Sequence, residues 1–378
     1  MNIVFTERFY PENGGSIEWL FNLFSVWPAP VIFLTHKYDQ NFQNLKNIQI
    51  FQDNLLHKDW GLNKSDSIIK YYRAFKILLK LSKGKEHTNI YCAKIIPEAI
   101  PAIILKLFRK NVKVYCFVHG EELLVYNTSR QLKLFFKITK NFIEKFVANS
   151  NNTKKLLLNY TKDENIIVSY PCISINQDLK IKSKLQLREK YNILPNTKVL
   201  LSIARLVERK NHKAVILALK SIIESKPDIL YLIVGDGEYR EPLELLVKEN
   251  NLTRNTRFIG KVDNKTKDEI YSLSDIFLLP GKKIETDFEG FGVSFIEAQS
   301  YGLPVIAGNT GGEGEAILDN QTGFIVDNDD NLLEKLQILL DNKTLYDEFS
   351  KKALEFSKQF SNNTSAEKLY QAITNGIK

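Results

Sequence analysis

The chain has 378 residues, of which 44% are hydrophobic and 25% are charged, and it carries a net charge of +8. This composition is that of a folded globular protein of about two or three domains, and it excludes a disordered or fibrous chain. No apolar run reaches the roughly 20 residues of a membrane span, and the N-terminus lacks the basic start and apolar core of a signal peptide. Three scattered cysteines form neither a disulfide framework nor a metal-ligand spacing, so we expect a protein of the reducing cytoplasm.

Short apolar strands alternate with amphipathic helices along the first half of the chain. The first helix is predicted to begin near Ser16, after a glycine loop at Gly14 and Gly15. This alternation is typical of a parallel sheet with helices on both faces. The predicted strands occupy residues 2–7, 30–36, 89–93, 112–120 and 145–150.

Positive charge is concentrated in this first half, where residues 1–175 carry 24 Lys/Arg against 14 Asp/Glu. Two basic stretches, 68–85 and 130–146, combine lysines with aliphatic and aromatic residues at helical spacing. Such a helix can lie on an anionic membrane surface, or it can bury one face and leave a basic face in water, which is the commoner case. No helix-turn-helix, zinc-finger or RNP pattern accompanies the charge, so nucleic acid is not an expected partner.

The alternation of strands and helices begins again after a polar stretch at 175–196, which marks a predicted domain boundary. We expect two αβα domains in tandem, over residues 1–178 and 179–355. Because parallel sheets bind ligands at the carboxyl ends of their strands, the cleft between these domains is the expected site. The predicted strands of the second half occupy residues 198–206, 230–238, 256–262, 275–281, 303–309 and 323–327.

The segment 287–299, DFEGFGVSFIEAQ, places Glu289 and Glu297 around a glycine turn that leads from a strand into a helix. Free backbone N–H groups and the positive end of the helix dipole at 292–294 would bind a phosphate, and Gly290 allows a ligand to approach closely. Glu297, about one turn into the helix, could then reach a sugar hydroxyl. The alternative is a glycosidase carboxylate pair, which fits poorly because nothing here would protonate a leaving oxygen.

Two cations follow the first strand of the second half. Arg205 ends that strand and Lys210 comes shortly after it, and such a pair can clamp a diphosphate. His119 similarly closes the strand at 112–120, where an imidazole can contact a ligand or serve the structure. Neither the glycine loop near Ser16 nor VGDGEYR (234–240) has the G-x-G-x-x-G spacing, so NAD is not expected.

An Asp-x-Asp sequence at Asp327 and Asp329 could hold a metal ion at the end of the last strand. Asp329 or Asp330 is also well placed to cap the helix that follows. The cations at Arg205 and Lys210 already suit a diphosphate. The sequence therefore predicts no required metal.

Taken in order, these motifs resemble those of retaining glycosyltransferases of family GT4, which have the GT-B fold. The resemblance covers nearly the whole chain and is most specific in SIARLVERKN (202–211) and EGFGVSFIEAQSYGLPVIAGNTGG (289–312). It implies two Rossmann-like αβα domains that face each other across a cleft, with the last helix, 356–378, crossing back onto the first domain. The chain departs from the family at SYPCISIN (169–176), where PNGVD is usual, and at Gly314 and Glu315, where Pro-Glu is usual.

The resemblance also implies roles for individual residues. Arg205 and Lys210 would hold the diphosphate of a nucleotide sugar, Glu297 its ribose, and the backbone at 260–262 its base. The implied catalytic residues are His119, Glu289, Arg205 and Lys210. The implied donor-binding residues are Gly15, Arg205, Lys210, Gly260, Lys261, Val262, Glu289, Gly290, Phe291, Gly292, Val293, Ser294 and Glu297.

The function implied is transfer of a hexose, with retention of configuration, from a UDP- or GDP-linked sugar to a hydroxyl of a glycan or lipid-linked acceptor. No cofactor beyond this substrate is expected. The resemblance to bacterial members implies a role in surface polysaccharide synthesis (lipopolysaccharide O-antigen, capsule or exopolysaccharide). The basic first half fits a lipid-linked acceptor at the cytoplasmic face of the membrane. Two alternatives remain: a nucleotide-sugar epimerase without a nicotinamide cofactor, which needs more acid/base groups than this chain offers, and a non-catalytic sugar-binding scaffold.

Overall fold

A computed structural model describes residues 1–10, 12, 14–38, 47–55, 65–128, 130–174, 183–284 and 289–375. Contacts divide the chain into two compact units. The first is Met1–Ser174 with Phe360–Lys378, and the second is Ile175–Gln359. The predicted boundary between residues 178 and 179 lies outside the described residues, as do the first two residues of the 287–299 segment.

The first unit is a parallel sheet of seven strands with helices on its faces. The strands are β1 (Asn2–Phe5), β2 (Val31–His36), β3 (Ile48–Asp53), β4 (Thr88–Cys92), β5 (Val112–Val118), β6 (Lys145–Ala148) and β7 (Ile166–Val168). The helices are α1 (Gly15–Ser25), α2 (Ser65–Leu81), α3 (Ala99–Phe108), α4 (Glu121–Thr128), α5 (Arg130–Thr139) and α6 (Asn151–Leu157). The strand order is β3-β2-β1-β4-β5-β6-β7, so the order reverses between β1 and β4.

Three sequence predictions for this unit were wrong or incomplete. Strands β3 and β7 were not predicted: β3 is an edge strand with mostly half-buried side chains, and β7 has only three residues. The predicted amphipathic stretch 130–146 is not one helix. Helix α5 ends at Thr139, and a 3₁₀ turn at Lys140–Phe142 leads into β6 at Lys145, because Phe146 must enter the buried sheet.

The second unit repeats the design with six parallel strands. The strands are β8 (Lys198–Ile203), β9 (Ile229–Val234), β10 (Thr256–Gly260), β11 (Ile276–Leu279), β12 (Val305–Gly308) and β13 (Gly323–Val326). The helices are α7 (Lys184–Lys190), α8 (His212–Ile223), α9 (Arg240–Glu249), α10 (Asn264–Leu273), α11 (Val293–Ser300), α12 (Glu313–Ala316), α13 (Asp329–Asp341) and α14 (Lys343–Ser357). The order β10-β9-β8-β11-β12-β13 reverses between β8 and β11.

Helix α13 is capped differently from the prediction. Asn328 is the N-cap, and its Oδ1 accepts a hydrogen bond from the backbone N of Asn331 at 2.9 Å. Asp329 and Asp330 are the first two residues of the helix. Their negative charges therefore interact favourably with the positive end of the helix dipole, whereas the side-chain amide of Asn328 supplies the capping hydrogen bond.

The last helix, α15 (Asn362–Asn375), packs on the first unit. Its Leu369 and Ile373 are buried in the core that contains Trp27, and the ring of Tyr370 meets the Trp27 ring edge-on at 5.4 Å. The chain reaches this position through a short parallel bridge between Ile173 and Ser361. Burial of these apolar side chains is what holds the helix in place.

The three cysteines, Cys92, Cys116 and Cys172, are buried and free. Across the described ranges, no helix combines the length and apolar character that crossing a membrane requires.

Candidate functional site

The loops that follow β8 and β11 carry most of the predicted residues of the second unit. These two strands are neighbours at the point where the strand order reverses, so the loops leave the sheet side by side. The carboxyl edge at such a point is where open α/β sheets bind ligands. Because β8 and β11 are neighbours in the sheet, Lys210 and Glu289 are in contact although they are 79 residues apart in the chain.

Glu289 is held by two cations. Its Oε2 accepts a hydrogen bond from Nη1 of Arg209 at 2.8 Å and another from Nζ of Lys210, and all three side chains are largely buried. Burial alone would raise the pKa of Glu289, but the charges and hydrogen bonds of Lys210 and Arg209 outweigh it and lower the pKa to about 2. Glu289 is therefore a carboxylate at every physiological pH.

Arg209 was missed by the sequence reasoning, which selected Arg205 instead. Arg205 is exposed at the start of the same loop, whereas Arg209 is almost fully buried beside Glu289. The only signal for Arg209 in the sequence was a second basic residue directly before Lys210, and burial of an arginine cannot be read from that position.

Gly292 starts the helix that was predicted to bind phosphate. It is the N-cap of α11 with φ +86°, and a Cβ there would lie 2.6 Å from the ring of Phe295. A side chain at this position would be strained and would also crowd the helix. The first backbone N–H groups of α11, at Val293 and Ser294, have no partner inside the helix, because the first turn of any helix lacks the carbonyls that they would need.

The loop after β12 packs tightly against this turn. The backbone N of Gly312 donates to the carbonyl oxygen of Glu289 at 2.9 Å, and a Cβ on Gly312 would lie 2.1 Å from the carbonyl oxygen of Gly290. Phe291, the residue after Gly290, is buried. Gly312 is therefore required by close backbone packing beside Glu289.

Glu313, the next residue, is a buried carboxyl that the sequence reasoning did not select. Its Oε1 accepts a hydrogen bond from Oγ1 of Thr310. Burial, followed by the negative charge of Glu289, raises the pKa of Glu313 to about 6. The site thus contains two glutamates whose pKa values are shifted in opposite directions.

Glu297 lies one turn into α11 and has partners on both oxygens. Oε1 accepts from Nζ of Lys267 at 2.7 Å, and Oε2 accepts from the hydroxyl of Tyr271 at 2.9 Å. A carboxylate has about four lone-pair positions, so each oxygen can still accept a bond from a ligand hydroxyl. Both partners come from α10, which the sequence did not connect with Glu297.

The predicted base-binding segment, Gly260 to Val262, ends β10 at the edge of the sheet. Gly260 has φ +81° and its carbonyl accepts from the backbone N of Gly235 at 2.9 Å, while Lys261 is exposed. Strand β9 separates β10 from β8. Gly235 itself is required because a Cβ there would meet the carbonyl oxygen of Ala204 at 1.9 Å, so the glycines of VGDGEYR have a packing role.

Two predicted residues, Gly15 and His119, belong to the first unit. Gly15 is the exposed first residue of α1, and His119 directly follows β5. Nε2 of His119 lies 3.1 Å from the carbonyl oxygen of Ala93, which can only accept, so we assign the proton to Nε2. Burial lowers the pKa of His119 below 6.5, so the ring is neutral at pH 7.

Buried carboxyls near His119 were also missed. The backbone N of His119 donates to Oε1 of the buried Glu122 at 2.8 Å. Glu98, which follows β4, accepts from the backbone N of Glu7 at 3.2 Å. Burial, with the charge of Glu122 adding to it, raises the pKa of Glu98 to about 7. Their meeting at the ends of β1, β4 and β5 follows from strand order, which the sequence pattern does not reveal.

Comparison with known proteins places these residues in a family context. The family model described as glycosyl transferases group 1 matches residues 183–356. A GDP-mannose-dependent monoacylated alpha-(1-6)-phosphatidylinositol monomannoside mannosyltransferase of Corynebacterium glutamicum is 34% identical over 161 residues. That alignment covers 42% of this chain and 41% of the relative, so the chain matches less than half of the relative's length.

Solved structures extend the likeness to the whole fold. The Anabaena protein HepE, in complex with UDP and glucose, matches with a TM-score of 0.78 and 17% identity over 99% of this chain and 100% of that chain. WaaG, a glycosyltransferase involved in lipopolysaccharide biosynthesis, matches with a TM-score of 0.71 and 18% identity over the same shares. The predicted fold class, two Rossmann-like domains of the GT-B type, is confirmed.

Proposed function

Because the family model described as glycosyl transferases group 1 matches residues 183–356, we propose that this chain is a glycosyltransferase of that family and transfers a hexose from a nucleotide sugar to an acceptor hydroxyl. The acceptor is a glycan or a lipid-linked oligosaccharide, and transfer retains the configuration at C1 and needs no metal. Two similar proteins support this: the Corynebacterium relative is a phosphatidylinositol monomannoside mannosyltransferase, and WaaG, which shares the fold, is involved in lipopolysaccharide biosynthesis.

One observation carries the proposal: two cations and a helix start meet where the strand order of the second unit reverses. Lys210 and Arg209 lie on Glu289, which is three residues before the N-cap of α11. Cationic side chains and free N–H groups are what a diphosphate needs. A glycosidase, whose substrate carries no diphosphate, would not require this arrangement.

The chemistry follows from where charge develops. The bond between C1 of the hexose and the phosphate oxygen breaks, and its electron pair goes to the diphosphate. The acceptor oxygen forms the new bond to C1 on the same face, and its proton passes to the departing phosphate. Lys210 and the first turn of α11, with Arg205 as the second cation that the sequence predicts for the diphosphate, stabilise a negative charge that is largest in the transition state, which raises the rate.

Glu289 orients the hexose hydroxyls and stabilises positive charge near C1, since it is an anion at neutral pH. Glu297 binds the ribose, with Lys267 and Tyr271 fixing its orientation. His119 and Gly15 remain sequence predictions for contacts with the hexose, and Gly260 to Val262 for contacts with the base.

The donor is expected to stabilise the folded protein in a thermal unfolding assay. UDP-glucose and GDP-mannose are the first probes, because the Corynebacterium relative is GDP-mannose-dependent and HepE was solved with UDP. At 100 times its Kd, the true donor should add about 2.7 kcal/mol and raise the midpoint by about 5 °C or more. EDTA in the buffer should change neither this shift nor the transfer activity.

Lys210→Ala is the matched control, since it should remove most of the shift without loss of the fold. If a panel of UDP and GDP sugars left the midpoint unchanged, the donor site proposed here would be wrong. Donor consumed without any acceptor and converted to an isomer would indicate the epimerase. Binding without hydrolysis or transfer to any acceptor would indicate a sugar-binding scaffold.

The basic face of α5 supports the proposal of contact with the cytoplasmic membrane surface. Leu134 and Ile138 are 60% and 54% exposed, and exposed Lys133 and Lys137 lie beside them on the same face. Apolar side chains flanked by lysines suit the headgroup boundary of anionic lipids. Localisation in the cytoplasm, peripheral to the membrane, belongs to the same proposal.

Sedimentation with vesicles that contain phosphatidylglycerol should pull down the protein at low salt and release it at high salt, because the attraction is screened. The double change Lys133→Glu with Lys137→Glu should reduce binding at least about 10-fold, at about 1 kcal/mol per lysine removed from the surface. Lys248→Glu with Lys351→Glu, an equal charge reversal at exposed lysines of the second unit, is the control. Equal loss in both double variants would exclude α5 as the docking helix.

A further inference from the structure

Glu313 has an unusual position for a glutamate. Its side chain is 2% exposed, Oε1 accepts from Oγ1 of Thr310, and Oε2 has no hydrogen-bond partner among the described residues. A buried carboxylate oxygen without a partner is costly, whereas a protonated carboxyl loses far less on burial. The fold therefore keeps at this position a carboxyl that is poised to be neutral.

This carboxyl lies against the proposed donor site. Cγ of Glu313 is 3.9 Å from the place of a Cβ on Gly292, the N-cap of α11, and Oε1 is 3.6 Å from that of Gly281, in the loop after β11. The preceding residue, Gly312, donates to the carbonyl of Glu289 at 2.9 Å. Glu313 is thus within reach of the electric field of anything bound at the start of α11.

The charges around Glu313 are nearly balanced in the ligand-free protein. Glu289 disfavours the ionised form of Glu313, and Lys210 favours it, together with the hydrogen bond from Thr310. Arg209 faces the cluster through its bond to Glu289, and Glu315 lies on the same helix as Glu313. The two cations, Arg209 and Lys210, therefore balance the charges of the two carboxyls, Glu289 and Glu313, and no positive charge is in excess.

A diphosphate changes this balance. It brings about two negative charges to the cations that now neutralise Glu289, so one carboxyl of the cluster must become neutral or be repelled by the added charge. Glu289 keeps direct bonds to Arg209 and Lys210, while the free oxygen of Glu313 has none. We propose that Glu313 takes up a proton when a nucleotide sugar binds at the start of α11. This inference rests on the proposed function and adds to it a role for Glu313 in binding a proton.

Proton uptake makes the affinity for the donor dependent on pH, and linkage gives the sign. Below the pKa of about 6 that Glu313 has in the free protein, the proton is already present and binding is strongest. As the pH rises, the proton must be taken from solution and binding weakens. If the complex raises the pKa of Glu313 by about one unit, the Kd increases about 5-fold between pH 6 and pH 8.

Isothermal titration calorimetry can measure the proton directly. UDP-glucose and GDP-mannose are suitable probes, because neither diphosphate titrates near pH 7. Titration at pH 7 in two buffers of different ionisation enthalpy should give an uptake of about 0.4 proton per bound donor in the wild type. Glu313→Gln, which mimics the neutral carboxyl in size, should bind with no uptake and with a Kd that is unchanged from pH 6 to pH 8.

A second variant acts on Glu313 without replacing it. Thr310→Val removes the hydrogen bond that favours the ionised carboxyl, so it should shift the dependence of Kd on pH towards higher pH. If the role of Glu313 were purely structural, the two variants would have lower thermal stability. The wild type would then show no proton uptake, and Thr310→Val would show no shift in the pH dependence of Kd. The Thr310 variant also keeps the test valid if Glu313→Gln does not fold.

The outcomes separate the two levels of the proposal. Binding of a nucleotide sugar without proton uptake, or uptake that persists in Glu313→Gln, would overturn the role of Glu313 and leave the proposed function intact. Failure of every nucleotide sugar to bind the folded wild type would overturn the proposed function, and this inference with it.

Discussion

Replacement of Glu289 with alanine should lower the turnover of sugar transfer at least about 100-fold, the effect of removing one preorganised electrostatic group. Glu289 is an anion at neutral pH because Arg209 and Lys210 outweigh its burial. Alanine would remove the charge next to C1 and leave both cations without their partner. Steady-state kinetics with the donor identified by thermal unfolding would measure the effect, which should appear in kcat more than in KM.

Glu348→Ala is the matched control for this experiment. Glu348 is also a glutamate of the second unit in an ion pair, with Lys352 at 2.7 Å, but both side chains are exposed. Its loss should leave kcat unchanged. Arg205→Ala should show a large loss if the exposed arginine meets the diphosphate as the sequence predicted. Near wild-type turnover in folded Glu289→Ala would remove the assignment of this cluster to the active site.

Replacement of Asp275 with alanine should reduce the free energy of unfolding by about 3–5 kcal/mol, the cost of breaking a buried ion pair from one side. Oδ2 of Asp275 accepts from Nη2 of Arg188 at 2.7 Å and from the backbone N of Val199 at 2.7 Å. Oδ1 accepts from Nζ of Lys184 at 2.7 Å. Because Arg188 is buried, alanine would leave its guanidinium charge without compensation and would also orphan a backbone N–H of β8.

Denaturant unfolding followed by circular dichroism would measure this loss in the second unit. Asp341→Ala is the control, since Asp341 pairs with Lys226 on the surface and such pairs contribute about 1 kcal/mol or less. Asp275→Asn should fall between the two, because an amide oxygen can still accept one bond but carries no charge. A loss below about 1 kcal/mol in Asp275→Ala would show that water or a shift of Arg188 replaces the ion pair.

Local patterns in the sequence determined the fold and the outline of the site. Short apolar runs rich in β-branched residues, such as ILYLIV in β9, predict buried strands, and their alternation with amphipathic helices predicts a parallel sheet. The turn around Gly292 was predicted correctly as a strand-to-helix connection. The spacing from Glu289 to Glu297 was likewise readable, because it lies within one continuous segment whose signals act over a few residues.

Only the tertiary structure decided which charges meet. Arg209 and Glu289 are 80 residues apart, and it is the adjacency of β8 and β11 that brings them to 2.8 Å. By sequence Glu313 is one more polar residue in a polar stretch. Its pKa is raised only because the fold buries it beside Gly292 and the loop after β11, close to Glu289. The burial of a side chain and the charges around it depend on which helices and strands pack together. The residues next to it in the chain carry little information about this packing. The sequence therefore determined the fold class and selected a candidate site, and packing decided the ionisation of the groups in that candidate site.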